Sequence, residues 1–566
     1  MVKAKLVLKR YWPLFLVVLL GGVLRLYGLL QNPISLYSDE VDIGYQVLSL
    51  VKTGCDYSGY CLPTQFHSFS DVRTPLPIYF TAIIHLLGVP LDFAIRLSPA
   101  IFGILGLLST YLLVENLASE KIFNLKISNS GLFSALVLAL IPWHLTYSRI
   151  GFELSTLYFF ITFGLYLFTG FLIQKKIYLL ILSSIVLGLT PMVYSTAKMA
   201  ILAYPLILLL LPGTIESLKD IRLVAISLVL MFLPLSMLLI SGGAASRFDY
   251  ISIFTDPTTA PEINYQRQLD SGPNASVGTS PTVATRLLHN KPLWFATNLS
   301  NNVFSLLSTD FLFTKGDPNL RHSPTNSGML YRTLLPVILI GLYFLVRFRH
   351  DRFLILLTLL TGISISTSAI TRDGGNHASR SFMLILPLVT ISGIGLAYLF
   401  SVKKFLSYVF LGFIFLESIF FVHDYWFHYR YSSERSWSAG MKEMVQLTKK
   451  FPGKPVVISP KIENPLIFYL YYTQFDPKKF QQFVKSDTIY NGTSGNHNLD
   501  GNRIGDSNLY IATLTDYQNK PINPLPGAVY FLTRAEVENT TIRSWATTGD
   551  IIRLPSGDPL YYEIHF

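Results

Sequence analysis

Charged side chains are scarce in this sequence. Asp, Glu, Lys and Arg make up 14% of the 566 residues, whereas a soluble protein of similar size has about 25%. Hydrophobic residues make up 51% and form runs long enough to cross a lipid bilayer. The net charge of +11 does not indicate a nucleic-acid partner, because Lys and Arg stand in short clusters between the apolar runs, as in cytoplasmic loops. The composition therefore predicts a polytopic protein of the cell membrane.

Cysteine is almost absent as well. The two cysteines, Cys55 and Cys61, lie close together in the segment GCDYSGYC. Their proximity, in a loop predicted to face an oxidising compartment, favours a disulfide, with two free thiols as the alternative. The first apolar run also lacks a small-residue cleavage site behind it. We therefore interpret it as a retained membrane span and not as a signal peptide.

Eleven apolar runs are predicted to span the membrane, and basic clusters set their direction. Lys3, Lys5, Lys9 and Arg10 place the N-terminus in the cytoplasm, and the basic clusters between spans then also lie inside. A further run, Pro75 to Gly88, is too short for a crossing and predicts an interfacial or re-entrant helix. The predicted spans cover about 11–30, 94–118, 130–147, 154–173, 177–193, 198–213, 223–241, 329–346, 353–370, 381–400 and 405–423.

This topology divides the chain into two predicted domains. Residues 1–423 form a mainly α-helical transmembrane domain with outer loops at 31–93 and 242–328, and residues 424–566 form a soluble domain outside the cytoplasm. In the soluble domain, WSAGMKEMVQLTKKF has helical spacing, while PVVISP and GAVYFLT are rich in β-formers, so an α/β fold is predicted. This domain lacks a phosphate loop, a metal-spaced Cys/His set and a nucleophile elbow. We interpret it as an accessory or substrate-positioning domain.

Polar residues gather in the outward connections between the spans. A charge at the end of a hydrophobic helix is costly unless it is paired, solvated or functional, so these connections predict a shared polar cavity that opens outward. Arg and Lys there suit a phosphate, and carboxylates suit a general base or a metal ion. The candidates are Asp39, Glu40, Asp42, His67 and Arg73 in the first loop, Arg149 and Glu153 after span 3, Tyr194 and Lys198 after span 5, Arg321 and His322 in the large loop, and His377 and Arg380 after span 9.

Some of these residues also have a purely structural explanation. Asp39 and Glu40 follow a good N-cap residue, and acids are favoured in the first turn of a helix. Against this, Asp39 and Asp42 share one helix face, which is the arrangement for binding one common ligand. Arg149 and Glu153 are spaced to pair with each other on a helix. Both explanations stay open from the sequence alone.

Several segments carry a resemblance to a known family. The strongest is SDEVDIGYQVLSLVKTGCDYSGYCLP, which looks like a first-loop acidic motif, and DVRTPLPIY resembles a basic–Pro–aromatic stretch with Arg73 where Lys is often found. The segments AIRLSPAIFGIL, HLTYSRIGFE and HASRSFMLILP are similar to later landmarks. With these motifs, residues 1–423 resemble the GT-C glycosyltransferases, in particular bacterial members similar to protein O-mannosyltransferases and to aminoarabinose transferases. No MIR-type β-trefoil and no WWD-type motif is evident, which argues against a protein Ser/Thr or Asn acceptor.

The resemblance implies a mechanism. The donor is a sugar carried on a polyprenyl phosphate, and the acceptor is a glycan, a lipid or a protein at the outer face of the bilayer. Asp39, with Glu40 beside it and Glu153 as a second carboxylate, acts as catalytic base or activates the acceptor with a divalent metal ion, Mg²⁺, Mn²⁺ or Zn²⁺. Arg73, Lys198 and Arg380 hold the phosphate, although Arg380 can instead be a snorkelling anchor. Inverting transfer needs a base and charge stabilisation, and no covalent nucleophile.

Two other functions fit parts of the same pattern. A lipid-linked glycan polymerase or ligase would share the outer cavity and the basic residues but would not need the Asp39 base. A transporter or flippase for lipid-linked sugars would show internal repeats and broken helices deep in the membrane. No clear repeat relates the two halves of this sequence, and its polar residues lie at span ends, so we favour the glycosyltransferase.

Overall fold

A computed structural model describes residues 2–69, 72–240, 251–272, 280–324, 327–463, 465–486, 502–503, 508–514, 524–538 and 547–566. The described chain forms two compact units. Unit 1 contains residues 1–24, 102–147 and 154–421, and unit 2 contains residues 25–101, 148–153 and 422–566. The first loop, predicted as part of the transmembrane domain, is therefore grouped with the C-terminal residues.

Long apolar helices dominate the fold, as predicted. Each of the eleven predicted spans coincides with an apolar helix, and six of these helices are long enough to cross a membrane by length and composition. These six are Leu91–Ala118, Leu154–Gln174, Ile221–Ile240, Asp351–Ala369, Phe382–Val402 and Lys404–Ser432. The shorter ones are Tyr11–Leu26, Ser130–Leu140, Ile177–Met192, Ala197–Leu210 and Leu334–Arg347, and the predicted short helix is Pro75–Leu86.

Small residues bring helices of unit 1 into close contact. Helix Ile385–Val402 packs against Ser130–Leu140 and against Leu334–Arg347. At Gly393 an added Cβ would lie 2.0 Å from the Ser134 hydroxyl oxygen and 2.6 Å from its backbone nitrogen, so only glycine allows this approach. Between apolar helices in lipid, such close packing replaces the hydrophobic driving force that water would supply. Shorter helices of unit 1 lie in the connections: Pro142–Tyr147, Thr214–Ser217, Thr259–Ser271, Val283–Leu288, Lys291–Leu306 and a π-helical turn at Asp310–Thr314.

A mixed six-stranded sheet forms the C-terminal part of unit 2. Its strands are, in spatial order, β4 (Asn502–Arg503), β5 (Leu509–Ile511), β3 (Val456–Ile458), β6 (Val529–Thr533), β8 (Pro559–His565) and β7 (Thr547–Arg553). Strands β5, β3 and β6 are parallel, and the other pairings are antiparallel. The predicted strands PVVISP and GAVYFLT become the central strands β3 and β6, because their Val, Ile and Phe side chains are buried on both faces. The two strands that precede this sheet in the sequence, β1 (Phe66–His67) and β2 (Val72–Arg73), form an antiparallel ribbon in the first loop.

The first loop and the C-terminal region share one hydrophobic core. Helix Ser38–Thr53 of the first loop packs against helices Pro465–Tyr472 and Pro477–Ser486. Gly44 lies at the closest approach, since an added Cβ would be 2.4 Å from the Tyr471 ring. The C-terminal region therefore supports the helix that carries the acidic motif. Among the described residues of this region, the other helices are Met441–Thr448, which confirms the predicted helical segment, and Arg534–Val537.

Candidate functional site

The acidic motif lies at the start of helix Ser38–Thr53. The N-cap residue is Tyr37, one residue before the expected Ser38, and its backbone N–H donates to the Glu40 carboxylate at 3.4 Å. The helix turns the three acids into different surroundings. The Asp39 side chain is 44% exposed, the Asp42 side chain is 5% exposed, and Glu40 is fully buried. Asp39, Asp42 and Glu40 therefore differ in their access to solvent although they are close in sequence.

Arg73 joins Asp39 and Asp42 in what we call the Arg73 cluster. The ribbon β1–β2 presents Arg73, whose Nη2 lies 2.6 Å from Asp39 Oδ1 and whose Nε donates to Asp42 Oδ2. Tyr37 Oη donates to the second Asp39 oxygen at 2.7 Å, and Tyr57 Oη donates to Asp42 Oδ1 at 2.8 Å. These contacts fix both carboxylates on one helix face, as their spacing predicted.

Burial and charge act against each other in this cluster. Burial raises the pKa of the Asp42 carboxyl, and Arg73 is the largest opposing influence. Although burial lowers the pKa of Arg73, the carboxylates of Asp39 and Asp42 raise it well above its usual value, and Glu153 adds to that effect. Glu153 thus acts electrostatically on Arg73, in addition to the two carboxylates that contact it.

Glu40 forms a separate ion pair with Arg96, which we call the Arg96 pair. Arg96 Nε and Nη2 each donate to one carboxylate oxygen at 2.9 Å, and the Gly151 backbone N–H donates to Oε1 at 2.7 Å. Arg96 also donates to the backbone oxygens of Pro33 at 2.7 Å and Leu29 at 3.1 Å. The pair therefore ties together three segments of unit 2, and the contacts of Glu40 are those of a structural residue.

Two further candidates in unit 2, His67 and Arg149, already have hydrogen-bond partners within the protein. His67 Nδ1 lies 3.0 Å from Asp56 Oδ2, and the His67 ring stacks on Tyr60. Arg149 donates to the backbone oxygens of Gly28 and Asn32, both at 3.1 Å, and its guanidinium lies 4.5 Å from the Trp426 ring centroid. These contacts supply Arg149 with partners other than Glu153. Cys55 and Cys61 form a disulfide, next to the helix end at Thr53.

The Arg73 cluster does not fit a metal ion. Arg73 already supplies the positive charge between Asp39 and Asp42, so a divalent cation there would have to displace a guanidinium held by two carboxylates. Among the described residues, the one group of three His, Cys, Asp or Glu side chains with ligand atoms within 4.8 Å of one another is Asp317, His322 and His377. Asp39 is not part of it.

In unit 1, the structure brings His322 and His377 together. Their ring centroids are 5.0 Å apart, and His322 Nδ1 lies 2.8 Å from Asp317 Oδ2. Burial, with Arg380 as the next cause, lowers the pKa of His377 to about 3, so this imidazole is neutral. Despite burial, the His322 hydrogen bond lowers the pKa of the Asp317 carboxyl, which is therefore ionised. Arg321 immediately precedes His322 in the same loop and is partly buried.

One apolar cavity of unit 1 is lined by residues next to Lys198 and Arg380. Arg380 Nη1 donates to Thr371 Oγ1 at 2.7 Å, and the Arg380 backbone oxygen accepts from Thr367, which lines the cavity. Ala197, next to Lys198, lines it from helix Ala197–Leu210, and Tyr194 lies in the turn before that helix.

Sequence reasoning missed Arg96 and the tyrosines that orient the acids. A signal for Arg96 was present, since a charge inside an apolar helix, here AIRLSPA, is costly without a partner. Tyr37 and Tyr57 gave no signal, because a tyrosine beside a polar loop is common and its partner is visible only in three dimensions.

No family model matches this chain, and no curated protein matches its sequence. Among solved structures, ArnT from Cupriavidus metallidurans bound to undecaprenyl phosphate has a TM-score of 0.50 at 12% identity, over 97% of each chain. This chain has the GT-C fold. The expectation from the first-loop motif is thus confirmed at the level of the fold. A second GT-C structure, the archaeal oligosaccharyltransferase AglB from Archaeoglobus fulgidus, has a TM-score of 0.48 at 13% identity, over 82% of this chain and 64% of AglB. The chain thus spans about two thirds of the length of AglB.

Proposed function

We propose that this protein is a membrane glycosyltransferase that moves a sugar from a polyprenyl-phosphate carrier to an acceptor hydroxyl, with inversion. Asp39 carries the proposal. Its carboxylate is held by Arg73 and Tyr37, yet its side chain remains 44% exposed. A base for an incoming substrate needs both properties, a fixed position and access. Asp42 and Glu40 lack the access, so we assign them to positioning.

The chemistry is one displacement. The acceptor oxygen attacks the anomeric carbon, the bond from that carbon to the phosphate oxygen breaks, and polyprenyl phosphate leaves with the electron pair. Asp39 takes the proton of the acceptor hydroxyl. Arg73 orients Asp39 before this step, because the ion pair at 2.6 Å holds the carboxylate in place. No covalent intermediate is required.

Lys198 and Arg380 are the better candidates for holding the carrier phosphate. The charge of Arg73 is already balanced by two carboxylates, which weakens its attraction for another anion. Lys198 and Arg380 instead adjoin residues that line an apolar cavity. Its other lining residues include Leu157, Ile161, Leu165, Ile207, Leu360, Ile363 and Leu386, and apolar side chains of this kind suit contact with an isoprenoid chain. The ArnT structure of the same fold contains undecaprenyl phosphate, which supports a lipid carrier of this class.

The proposal includes a direction across the membrane. Basic clusters at the N-terminus and between spans place those segments in the cytoplasm, so the acidic motif and the C-terminal sheet face outward. A carrier delivered to the outer face then meets its acceptor there.

The decisive experiment is sugar transfer in membranes from a panel of radiolabelled polyprenyl-phosphate sugars. Wild type is compared with Asp39→Asn and with a control, Asp558→Asn, which changes an exposed aspartate paired with Arg435 at 3.4 Å. We expect label in an acceptor fraction with wild type and control but not with Asp39→Asn. Equal transfer by Asp39→Asn would show that Asp39 is not the base. No transfer from any donor, with polyprenyl phosphate still bound, would favour the polymerase, ligase or flippase.

Arg380→Ala tests the phosphate site separately. Loss of a phosphate contact made equally in ground and transition states raises the donor KM and leaves kcat unchanged. We expect this pattern with the same donor. An unchanged donor KM would identify Arg380 as an interfacial anchor.

A further inference from the structure

Two loops of unit 1 bring a carboxylate and two imidazoles to one point. Asp317 and His322 lie in the loop before helix Leu334–Arg347, and His377 lies in the loop before helix Phe382–Val402. One ligand atom of each residue lies within 4.8 Å of the other two. The side chains of Asp317 and His322 are 4% and 12% exposed, so the group lies below the surface. A buried group of this composition needs a physical explanation.

Backbone contacts fix this group before any ligand binds. The Ala378 backbone N–H donates to Asp317 Oδ2, and the Asn319 backbone N–H donates to Oδ1, both at 2.8 Å. The Ala378 backbone oxygen in turn accepts from Trp143 Nε1 at 3.0 Å, within the fully buried aromatic surroundings of Trp143. Asp317 is thus held by both loops, and an ion bound to it would find its ligands already placed.

The distances suit a small divalent ion. Ligand atoms at about 2.0–2.1 Å from a tetrahedral Zn²⁺ lie about 3.3 Å from one another. His322 Nδ1 and Asp317 Oδ2 are 2.8 Å apart, so an ion replacing the shared proton requires them to separate by about half an ångström. Carboxylate and imidazole are also the ligand types that Zn²⁺ and its neighbours in the first transition row accept.

A comparison with other Asp–His pairs in this chain shows that the third ligand side chain distinguishes the Asp317 group. His67 pairs with Asp56 at 3.0 Å, His289 with Asp270 at 2.9 Å, and His428 with Asp424 at 3.1 Å. None of these pairs has a third ligand side chain in reach within the described part of the chain. A hydrogen-bonded Asp–His pair is thus a common loop contact in this protein, whereas the second imidazole from another loop is particular to the Asp317 group.

We propose that Asp317, His322 and His377 bind one divalent transition-metal ion, with Zn²⁺ as the best fit. Three protein ligands leave the fourth tetrahedral position open to water or to an anionic oxygen, as in zinc sites that take part in chemistry. The ion also crosslinks the two loops, which otherwise meet through hydrogen bonds. This site shares no residue with the Arg73 cluster and does not depend on the proposed sugar transfer.

Metal content of the purified full-length protein, prepared without a histidine tag, tests the proposal. We expect about one zinc per chain by mass spectrometry in wild type, a loss of about tenfold or more in His377→Gln and Asp317→Asn, and no loss in the control His289→Gln. His377→Gln is the informative variant, because the hydrogen bond described for the His377 ring is only to Ser379 Oγ. Wild type free of transition metal after growth with zinc, or variants that keep the wild-type content, would overturn the site.

A second measurement avoids the folding of variants altogether. X-ray absorption at the zinc edge of the wild-type protein should show nitrogen and oxygen ligands near 2.0 Å, with the multiple-scattering signature of about two imidazoles. Sulfur ligands, or a shell without imidazole, would place the zinc elsewhere and overturn the assignment. Nitrogen and oxygen ligands with two imidazoles would support it even if the variants aggregate.

Discussion

The Arg73 cluster and the Arg96 pair use the same functional groups with opposite consequences. In both, a guanidinium meets carboxylates of the acidic motif within one helical turn. In the Arg96 pair the Glu40 carboxylate is fully buried and Arg96 is anchored by backbone carbonyls, so this carboxylate is closed to a substrate. In the Arg73 cluster the guanidinium contacts two different carboxylates, and one of them, Asp39, is partly exposed. Access, and not residue type, separates a structural acid from a candidate catalyst.

Glu40→Gln should produce the largest loss of stability. It leaves Arg96 buried with one charged partner removed, and breaking a buried pair in this way costs about 3–5 kcal/mol. We expect a strongly lowered unfolding temperature or loss of folded protein in detergent. The exposed pair offers a control, since Arg435→Ala should cost at most about 1 kcal/mol. A Glu40→Gln variant as stable as wild type would contradict the structural role of the Arg96 pair.

Asp39→Asn should have the opposite effect, a large loss of sugar transfer with little loss of stability. Removing a general base slows transfer by about 100- to 10,000-fold, whereas the partly exposed ion pair contributes about 1 kcal/mol or less to stability. The amide can still accept the hydrogen bond from Tyr37. Turnover and unfolding temperature measured on one preparation give the comparison directly. If Asp39→Asn lost as much stability as Glu40→Gln, Asp39 would be a structural residue like Glu40.

Arg73→Lys should have an intermediate effect. Lysine keeps the charge but cannot reach Asp39 and Asp42 with two separate N–H groups, so one charge-assisted hydrogen bond is lost. Such a bond is worth about 1.5–3 kcal/mol, and we expect transfer to fall by about 10- to 100-fold. Initial rates at saturating and limiting donor measure it. Wild-type rates would mean that a point charge near Asp39 is sufficient.

Gly44→Ala should have the smallest effect. It should act on both the Arg73 cluster and the Arg96 pair, because helix Ser38–Thr53 carries the acids of both. The new methyl group would overlap the Tyr471 ring, and overpacking of this kind costs about 1–3 kcal/mol. Thermal unfolding would show the loss, and a milder loss of transfer would follow if the C-terminal helices hold the acidic helix in place. Alanine without any effect would mean that the interface repacks freely.

Much of the fold could be predicted from the sequence. The apolar runs and basic clusters predicted the eleven helices, and PVVISP and GAVYFLT predicted two central strands, because both signals are local and strong. The strands β7 and β8 were not predicted. Strand β7 is mostly exposed and lies at the edge of the sheet. An edge strand is stabilised by pairing with its neighbour, here β8, more than by its own composition.

The candidate site was predictable only in part. The acids, Arg73 and the two histidines were identified as polar residues where hydrophobic helices end. Their grouping was not: Glu40 belongs to Arg96 and Asp39 to Arg73, while His322 and His377 belong with Asp317. Spacing within one helix reports which residues share a face, but it carries no information on which residue of a distant segment lies opposite.

The sequence by itself determined that the chain crosses the membrane many times and where polar residues leave the bilayer, because hydropathy and the cost of buried charge act residue by residue. Tertiary structure alone decided which carboxylate is enclosed and which is open to a substrate. It also decided that the C-terminal region packs on the first-loop helix through Gly44 and Tyr471. Burial and partner choice depend on contacts between segments hundreds of residues apart, and those contacts exist only once the chain is folded.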